Sequence, residues 1–237
     1  MVRFIENEKE RKDFTFTEIK KSFCFHYQNC DSFRAYCDMY HFTPDSINTF
    51  EDLYMIPQIT TTIFKSMDVL SKEKRSCKCC TSSGTKGVVS RIYRDKATVR
   101  AFLDSVYSGL NRFYDMDIKE TVILNLGCDK EEAGDVWLAY VTGFLNSDME
   151  TRNFVHSGIL ETQKLVETIN DPEMKKRILL LGPPTLFLKV FEDMEKENIK
   201  VKLPENAVVI TAGGWKNKSN ISLSREEFLK KLNIYFE

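Results

Sequence analysis

Apolar residues recur along this chain in two rhythms, and the change between them predicts how it is built. Over 31–41, Phe33, Tyr36, Cys37 and Tyr40 share one face at three-to-four spacing, which predicts a helix. Thr43-Pro44-Asp45-Ser46 breaks it, and Phe50-Glu51-Asp52-Leu53 opens another short helix. Pro57 leads into 58–64, rich in Thr and Ile and expected to be extended. Residues 1–60 therefore read as an N-terminal helical cap, and 61–237 as an α/β core. Within that core, 88–93 alternates like a strand. Asp95 then caps a long helix whose predicted stripe is Val99, Phe102, Leu103, Val106, Leu110 and Phe113.

Further on, strand and helix signals alternate. The runs TVILNL at 121–126, RILLL at 177–181 and AVVIT at 207–211 are apolar on both faces, as a sheet covered on each side requires. Helical patterns fill 160–169 and 184–198, the second opened by Pro183-Pro184 and striped by Leu186, Phe187, Val190, Phe191 and Met194. This alternation predicts an α/β fold with a largely parallel sheet and flanking helices. Ser224 and Glu227 form a capping box for a last helix with Phe228, Leu229, Leu232 and Tyr235 on its apolar face. No Gly, Asn or Pro stop signal follows before Glu237. Two readings stay open: an architecture cut short, or an ordinary terminal helix docked on the sheet.

Composition narrows the classes. With 34 Lys+Arg against 35 Asp+Glu, the formal net charge of −1 gives no drive toward nucleic acid or an anionic membrane. The N-terminal stretch MVRFIENEKERKDF has no apolar signal region, and no apolar run reaches the ~20 residues of a membrane span. Seven cysteines, an odd number, read as reduced thiols, and the expected compartment is cytoplasmic.

The sharpest chemical signal is Thr81-Ser82-Ser83-Gly84-Thr85-Lys86-Gly87. Glycines let backbone N–H groups converge on an anion, hydroxyls add donors, and Lys86 supplies charge. It lacks the order and following helix of a Walker A loop. The alternative is a polar hairpin turn with a solvated lysine. A second glycine site, Gly213-Gly214-Trp215-Lys216, follows the strand run ending at Thr211, where α/β sheets collect flat ligands. The alternative there is a tight turn with Trp215 plugging the core. Cys77 and Cys80 make one C-x-x-C pair without a second to complete a zinc module. Asp129-Lys130-Glu131-Glu132 reads as a solvated loop, with an acidic contact to Mg2+ as the other option. His26, His41 and His156 show no triad pattern.

Together these segments resemble the acyl-protein synthetase family, the LuxE-type fatty-acid ligases, a branch of the acyl-adenylating superfamily related to phenylacetate–CoA ligase. Thr81–Gly87 is similar to that superfamily's Ser/Thr/Gly phosphate loop. Ile56-Pro57, Phe64-Lys65-Ser66, Ser90-Arg91-Ile92 with Asp95, Leu181-Gly182-Pro183 and Gly213-Gly214-Trp215-Lys216 follow in the family's order, from about residue 30 onward. The resemblance implies ATP-dependent, AMP-forming activation of a carboxylic, fatty acid as an acyl-adenylate, with ATP and Mg2+ as cofactors and transfer to a thiol. It implies that Thr81, Ser82, Ser83, Gly84, Thr85 and Gly87 hold phosphates. Thr85 and Lys86 would stabilise the leaving pyrophosphate, Gly213 and Gly214 would bed the adenine, and Trp215 would line the nucleotide or acyl pocket.

Departures accompany the match. Lys86 stands where the family has a second Thr. The aromatic-Gly-x-Thr/Ser-Glu segment that helps bind Mg2+ would lie past Glu237, and no cysteine after Cys128 matches the acyl-accepting thiol. These departures predict a truncated or split chain, with a C-terminal half or an acyl-acceptor or reductase protein as partner. The alternative is a non-catalytic half-ligase module that binds nucleotide or a partner.

Overall fold

The computed structural model describes residues 5–73, 76–81, 89–135, 137–145, 148–212 and 223–237. The chain divides into two compact units, Met1–Asp104 and Ser105–Glu237.

In the first unit the expected helical region is dominated by a helix that periodicity did not single out, α1 (Glu8–Asn29). Its apolar residues are scattered round the axis, and Phe23 alone is buried, so no stripe announced it. Asn7 caps it by accepting from Glu10 N at 3.0 Å. α2 (Asp31–Met39) follows and buries Cys37. Tyr40, assigned to the same face, lies beyond the helix end and is 60% exposed. The core of this unit gathers Phe23, Cys37 and Ile47, with Phe33 and Phe42 set edge-on to Phe23 at 5.6 and 5.5 Å. Short 3-10 turns occupy Pro44–Ser46 and Glu51–Met55.

The extended piece expected over 58–64 is not a strand; its end starts the single-turn helix α3 (Ile63–Ser66). Thr and Ile favour strands by fitting a pleated, half-buried surface, and here no strand among the described residues pairs with them. The strands of this unit are β1 (Cys77–Thr81) and β2 (Arg91–Asp95), paired antiparallel. α4 (Lys96–Tyr114) continues directly from β2. Asp95 caps it as expected, accepting from Thr98 N at 2.8 Å. Val99, Leu103 and Leu110 are buried, whereas Phe102 and Phe113, assigned to the stripe, are 39% and 70% exposed. At 100° per residue both fall on its margin.

The second unit is built on a four-stranded sheet in the order β4-β3-β7-β8, every pairing parallel. The strands are β3 (Thr121–Asn125), β4 (Glu150–Asn153), β7 (Arg177–Gly182) and β8 (Val208–Thr211). Between them run α5 (Lys130–Ala133), α6 (Trp137–Leu145), the two-residue strands β5 (Val155–His156) and β6 (Ile159–Leu160), α7 (Thr162–Ile169) and α8 (Pro184–Glu197). All three predicted apolar runs are strands. Val122, Leu124, Ile178 and Leu180 face one core, and Ile123 and Leu179 on the alternate face are equally buried, the burial a parallel sheet demands.

α8 buries Phe187, Val190, Phe191 and Met194, as its stripe predicted. Phe191 is the hub, with Phe228, Tyr235, Phe236 and Phe187 rings at 5.7, 5.6, 6.2 and 6.3 Å. Phe228, Tyr235 and Phe236 come from or follow α9 (Arg225–Tyr235), whose capping box is complete: Ser224 N donates to Glu227 Oε2 at 2.8 Å and Glu227 N to Ser224 Oγ at 3.2 Å. Past α9 the chain pairs with Val201, which donates to Tyr235 O at 2.8 Å. Leu229, placed on the apolar face of α9, is 43% exposed. Phe191→Ala is expected to lower unfolding free energy by about 3–5 kcal/mol in urea denaturation followed by circular dichroism. The control, Met39→Ala at a 77% exposed position, should stay within about 0.5 kcal/mol.

Candidate active-site elements

The predicted phosphate loop is strung between β1 and β2. Register pairs Cys77 with Asp95 at one end and Thr81 with Arg91 at the other. Half-buried Thr81 is thus the last strand residue before the motif; Ser82, Ser83, Gly84, Thr85, Lys86 and Gly87 lie outside the described residues. The returning strand is held by charge. Arg91 Nε and Tyr93 Oη both donate to Asp68 Oδ1, at 3.2 and 3.1 Å, and the Asp68 carboxylate raises the Arg91 pKa. At the far end Asp95 accepts from Lys72 Nζ and from Thr98 N and Oγ1. These bonds hold its carboxyl well below the usual range. Strand alternation puts Cys77 and Cys80 on opposite faces of β1, so the C-x-x-C pair does not converge. Burial is the main cause that pushes the thiols of Cys37, Cys80 and Cys128 up, the reverse of an activated nucleophile.

In the second unit the carboxyl ends of β3, β7 and β4 come together closely. Leu126 N donates to Leu181 O at 2.7 Å, and Ala212 N to Gly182 O at 3.1 Å. A Cβ on Gly182 would stand 2.6 Å from Leu126 Cβ, which explains the glycine of the Leu181-Gly182-Pro183 segment as a close-packing requirement. Buried Asn125 spans two strand ends, donating to Asn153 Oδ1 at 2.8 Å. Sequence reasoning passed over this asparagine because nothing in a single apolar run marks one polar residue as cross-strand. Gly213, Gly214 and Trp215 follow β8 in the chain and lie outside the described residues.

The same edge assembles a group the sequence did not suggest. Ligand atoms of Asp129, Glu132 and His156 lie within 4.8 Å of one another, the one such group of three among the described residues. Asp129 caps α5 by accepting from Glu132 N at 2.9 Å. Glu132 Oε2 accepts from Ser157 N at 2.9 Å, at the tip of the β5–β6 turn, where Ser157 and Gly158 both take positive φ. The 129–132 stretch, expected as a solvated loop, is solvent-exposed at Glu131 and Glu132 but forms the capped single-turn helix α5, tied to the hairpin through Glu132. This donor set does not fit Mg2+, which favours oxygen ligands and retained waters, since one donor is imidazole and each carboxylate already accepts a backbone N–H. No catalytic step is assigned to it.

A parallel sheet with these segments at its carboxyl edge is a fold this chain shares with solved acyl-CoA ligases. Crystal structures of 2-hydroxyisobutyryl-CoA ligase superpose on this chain. An open form with 2-HIB-AMP and CoA gives a TM-score of 0.66 at 12% identity, covering 91% of this chain and 52% of that one. A thioesterification-state form gives 0.63 at 13% identity, covering 84% and 44%. The chain belongs to the LuxE acyl-protein synthetase family, whose sequence profile matches residues 3–237. It is 30% identical over 234 residues to the long-chain-fatty-acid–luciferin-component ligase of Aliivibrio fischeri, covering 98% of this chain and 60% of the relative. The Vibrio harveyi protein of the same name is 29% identical over 222 residues, covering 93% and 58%. The chain thus spans about three-fifths of the length of these relatives.

Two predictions follow from the packing and charge of these elements. Gly182→Ala should destabilise the chain by about 1–3 kcal/mol through overpacking, while Gly109→Ala, with open space around a helical glycine, should stabilise it by about 0.5–1 kcal/mol; urea titrations of both variants check the opposite signs. Because Asp95 is depressed in the fold, its ionised form adds stability above the ordinary Asp value of about 3.9, lost as pH falls below it. The stability gap between wild type and Asp95→Asn, measured by denaturant titration from pH 7 to 3, should therefore narrow toward the acid end.

Proposed function

We propose that this chain activates a long-chain carboxylic acid as its acyl-adenylate, as the ATP-handling part of a LuxE-type ligase. The observation that carries the reading is continuous similarity over 98% of the chain to a long-chain fatty-acid ligase, on a fold shared with ligases crystallised with acyl-adenylates. In the reaction a substrate carboxylate oxygen attacks the α-phosphorus of ATP. The α–β anhydride bond breaks, pyrophosphate leaves with its electron pair, and the acyl-adenylate remains. A thiol then attacks the acyl carbonyl and AMP departs.

Thr81, Ser82, Ser83, Gly84, Thr85 and Gly87 cradle the β- and γ-phosphates with backbone and hydroxyl donors. Lys86, with Thr85, balances the charge that grows on pyrophosphate. Gly213 and Gly214 bed the adenine, and Trp215 lines the pocket. Mg2+, when bound, supplies further neutralisation of the phosphate oxygens. By the family's motif order the accepting thiol belongs to another segment or protein, the C-terminal half or a reductase partner. The seven free cysteines suit a reducing, cytoplasmic setting; among the described residues no helix is long and apolar enough to cross a membrane.

ATP–pyrophosphate exchange on the purified chain with a panel of short to long fatty acids and aryl acids is the test. Exchange dependent on long-chain acids is expected, and Gly84→Val should abolish it together with ATP binding while the circular dichroism spectrum is retained. ATP binding without exchange would identify a module that holds nucleotide without turnover. Unchanged ATP binding in Gly84→Val would move the phosphate site elsewhere.

A further inference from the structure

The first unit contains a cavity of about 760 Å³, a volume usual for small-molecule sites. One wall is a face of α1, where Ile19, Ser22, Phe23 and His26 recur at helical spacing. The opposite wall includes Ile92 and Tyr93 of β2, the strand that receives the chain as it returns from the phosphate loop. Phe33, Ile56, Phe64 and Leu70 complete a largely apolar lining.

Several polar side chains on the margin are already engaged within the protein, while Glu18 and Ser22 lie at its solvent-open rim. His26 Nδ1 shares a hydrogen bond with Ser71 Oγ at 2.7 Å, Lys72 pairs with Asp95, and Tyr93 donates to Asp68. Burial lowers the His26 pKa, so its imidazole is uncharged at neutral pH, leaving Glu18 and the Lys72–Asp95 pair as the charges there. Away from that rim, an occupant that needs hydrogen-bond partners would find His26, Lys72, Asp95 and Tyr93 engaged and would lose its water with little return. A hydrocarbon faces no such penalty. Arg91, where β2 begins beside Thr81, directly precedes the lining residue Ile92, so one hairpin carries both the phosphate loop and a cavity wall.

We propose that this cavity receives the hydrocarbon tail of the acid substrate; the identity of the acid rests on the adenylation reading above. The carboxylate then points out of the apolar space toward the loop end of the hairpin, and chain-length selection is set in the first unit.

The test uses a long-chain polyene fatty acid that fluoresces on burial, displaced by saturated acids of increasing length, on wild type and on Ile19→Trp and Ser22→Trp. Both positions line the cavity yet are open to solvent, so the variants should fold, as thermal unfolding checks. Wild-type affinity should rise about fourfold per methylene until the cavity is full. In both variants long-chain affinity should fall about tenfold or more, the loss of two or three methylene contacts, with short acids unaffected. Long-chain binding absent from wild type, equal in folded variants, or matched by aryl acids with the same sensitivity would each overturn the assignment. Exchange assays separate the two readings. Cavity-dependent acid binding without acid-dependent exchange keeps the cavity and sinks adenylation by this chain. Exchange with an unmoved chain-length profile in both variants does the opposite.

Discussion

Burial of β3 and β7 on both faces is the constraint from which the second unit follows. Parallel neighbours cannot be joined by tight turns, so each strand must be followed by a crossover that lies on the sheet. α7 and α8 lie in such crossovers on one face, and α9 packs beside them, with Phe191 where their side chains converge. A consequence is that chain segments leave β3, β7 and β8 at the same edge. Asn125, Gly182 and the Asp129–Glu132–His156 group are all found there, and so is Ala212, the last described residue before the glycine segment. Close approach at that edge is what makes Gly182 irreplaceable by a larger residue without movement.

The first unit is organised differently. Its apolar core is small, and the hairpin that flanks the proposed phosphate segment is tied down by two carboxylates. Asp68 takes Arg91 and Tyr93, and Asp95 takes Lys72 and the first turn of α4. Exposed ion pairs contribute little to stability, but these are partly sheltered and geometrically specific. Their value lies in fixing which way β2 runs out of the loop. A modest core also leaves the apolar space between α1 and β2 unfilled, so positional order and a ligand-sized cavity arise from the same economy of packing.

Much of the second unit was legible in the chain. Runs apolar on both faces, the stripe of α8 and the capping box at Ser224 are local patterns whose meaning tertiary context did not alter. Legibility failed where pattern and burial part company. α1 shows no stripe because it buries one aromatic residue fully, and 58–64 has strand-forming residues without a strand to pair with. The candidate site divides the same way. Motif order pointed to the phosphate and glycine segments, whereas Asn125 and the Asp129–Glu132–His156 group could not be read, their members being separated by 28 and 27 positions at most.

By itself, then, the sequence determined the α/β class, the parallel strands, the cap positions and the family, since each is written in spacing between near neighbours or in motif order. Tertiary structure alone decided where the units divide, which polar residues meet at the strand ends, and that a face of α1 and the β1–β2 hairpin line one apolar cavity. Those outcomes depend on contacts between residues far apart in the chain, whose proximity is a property of the packed whole and leaves no periodic trace in any one segment.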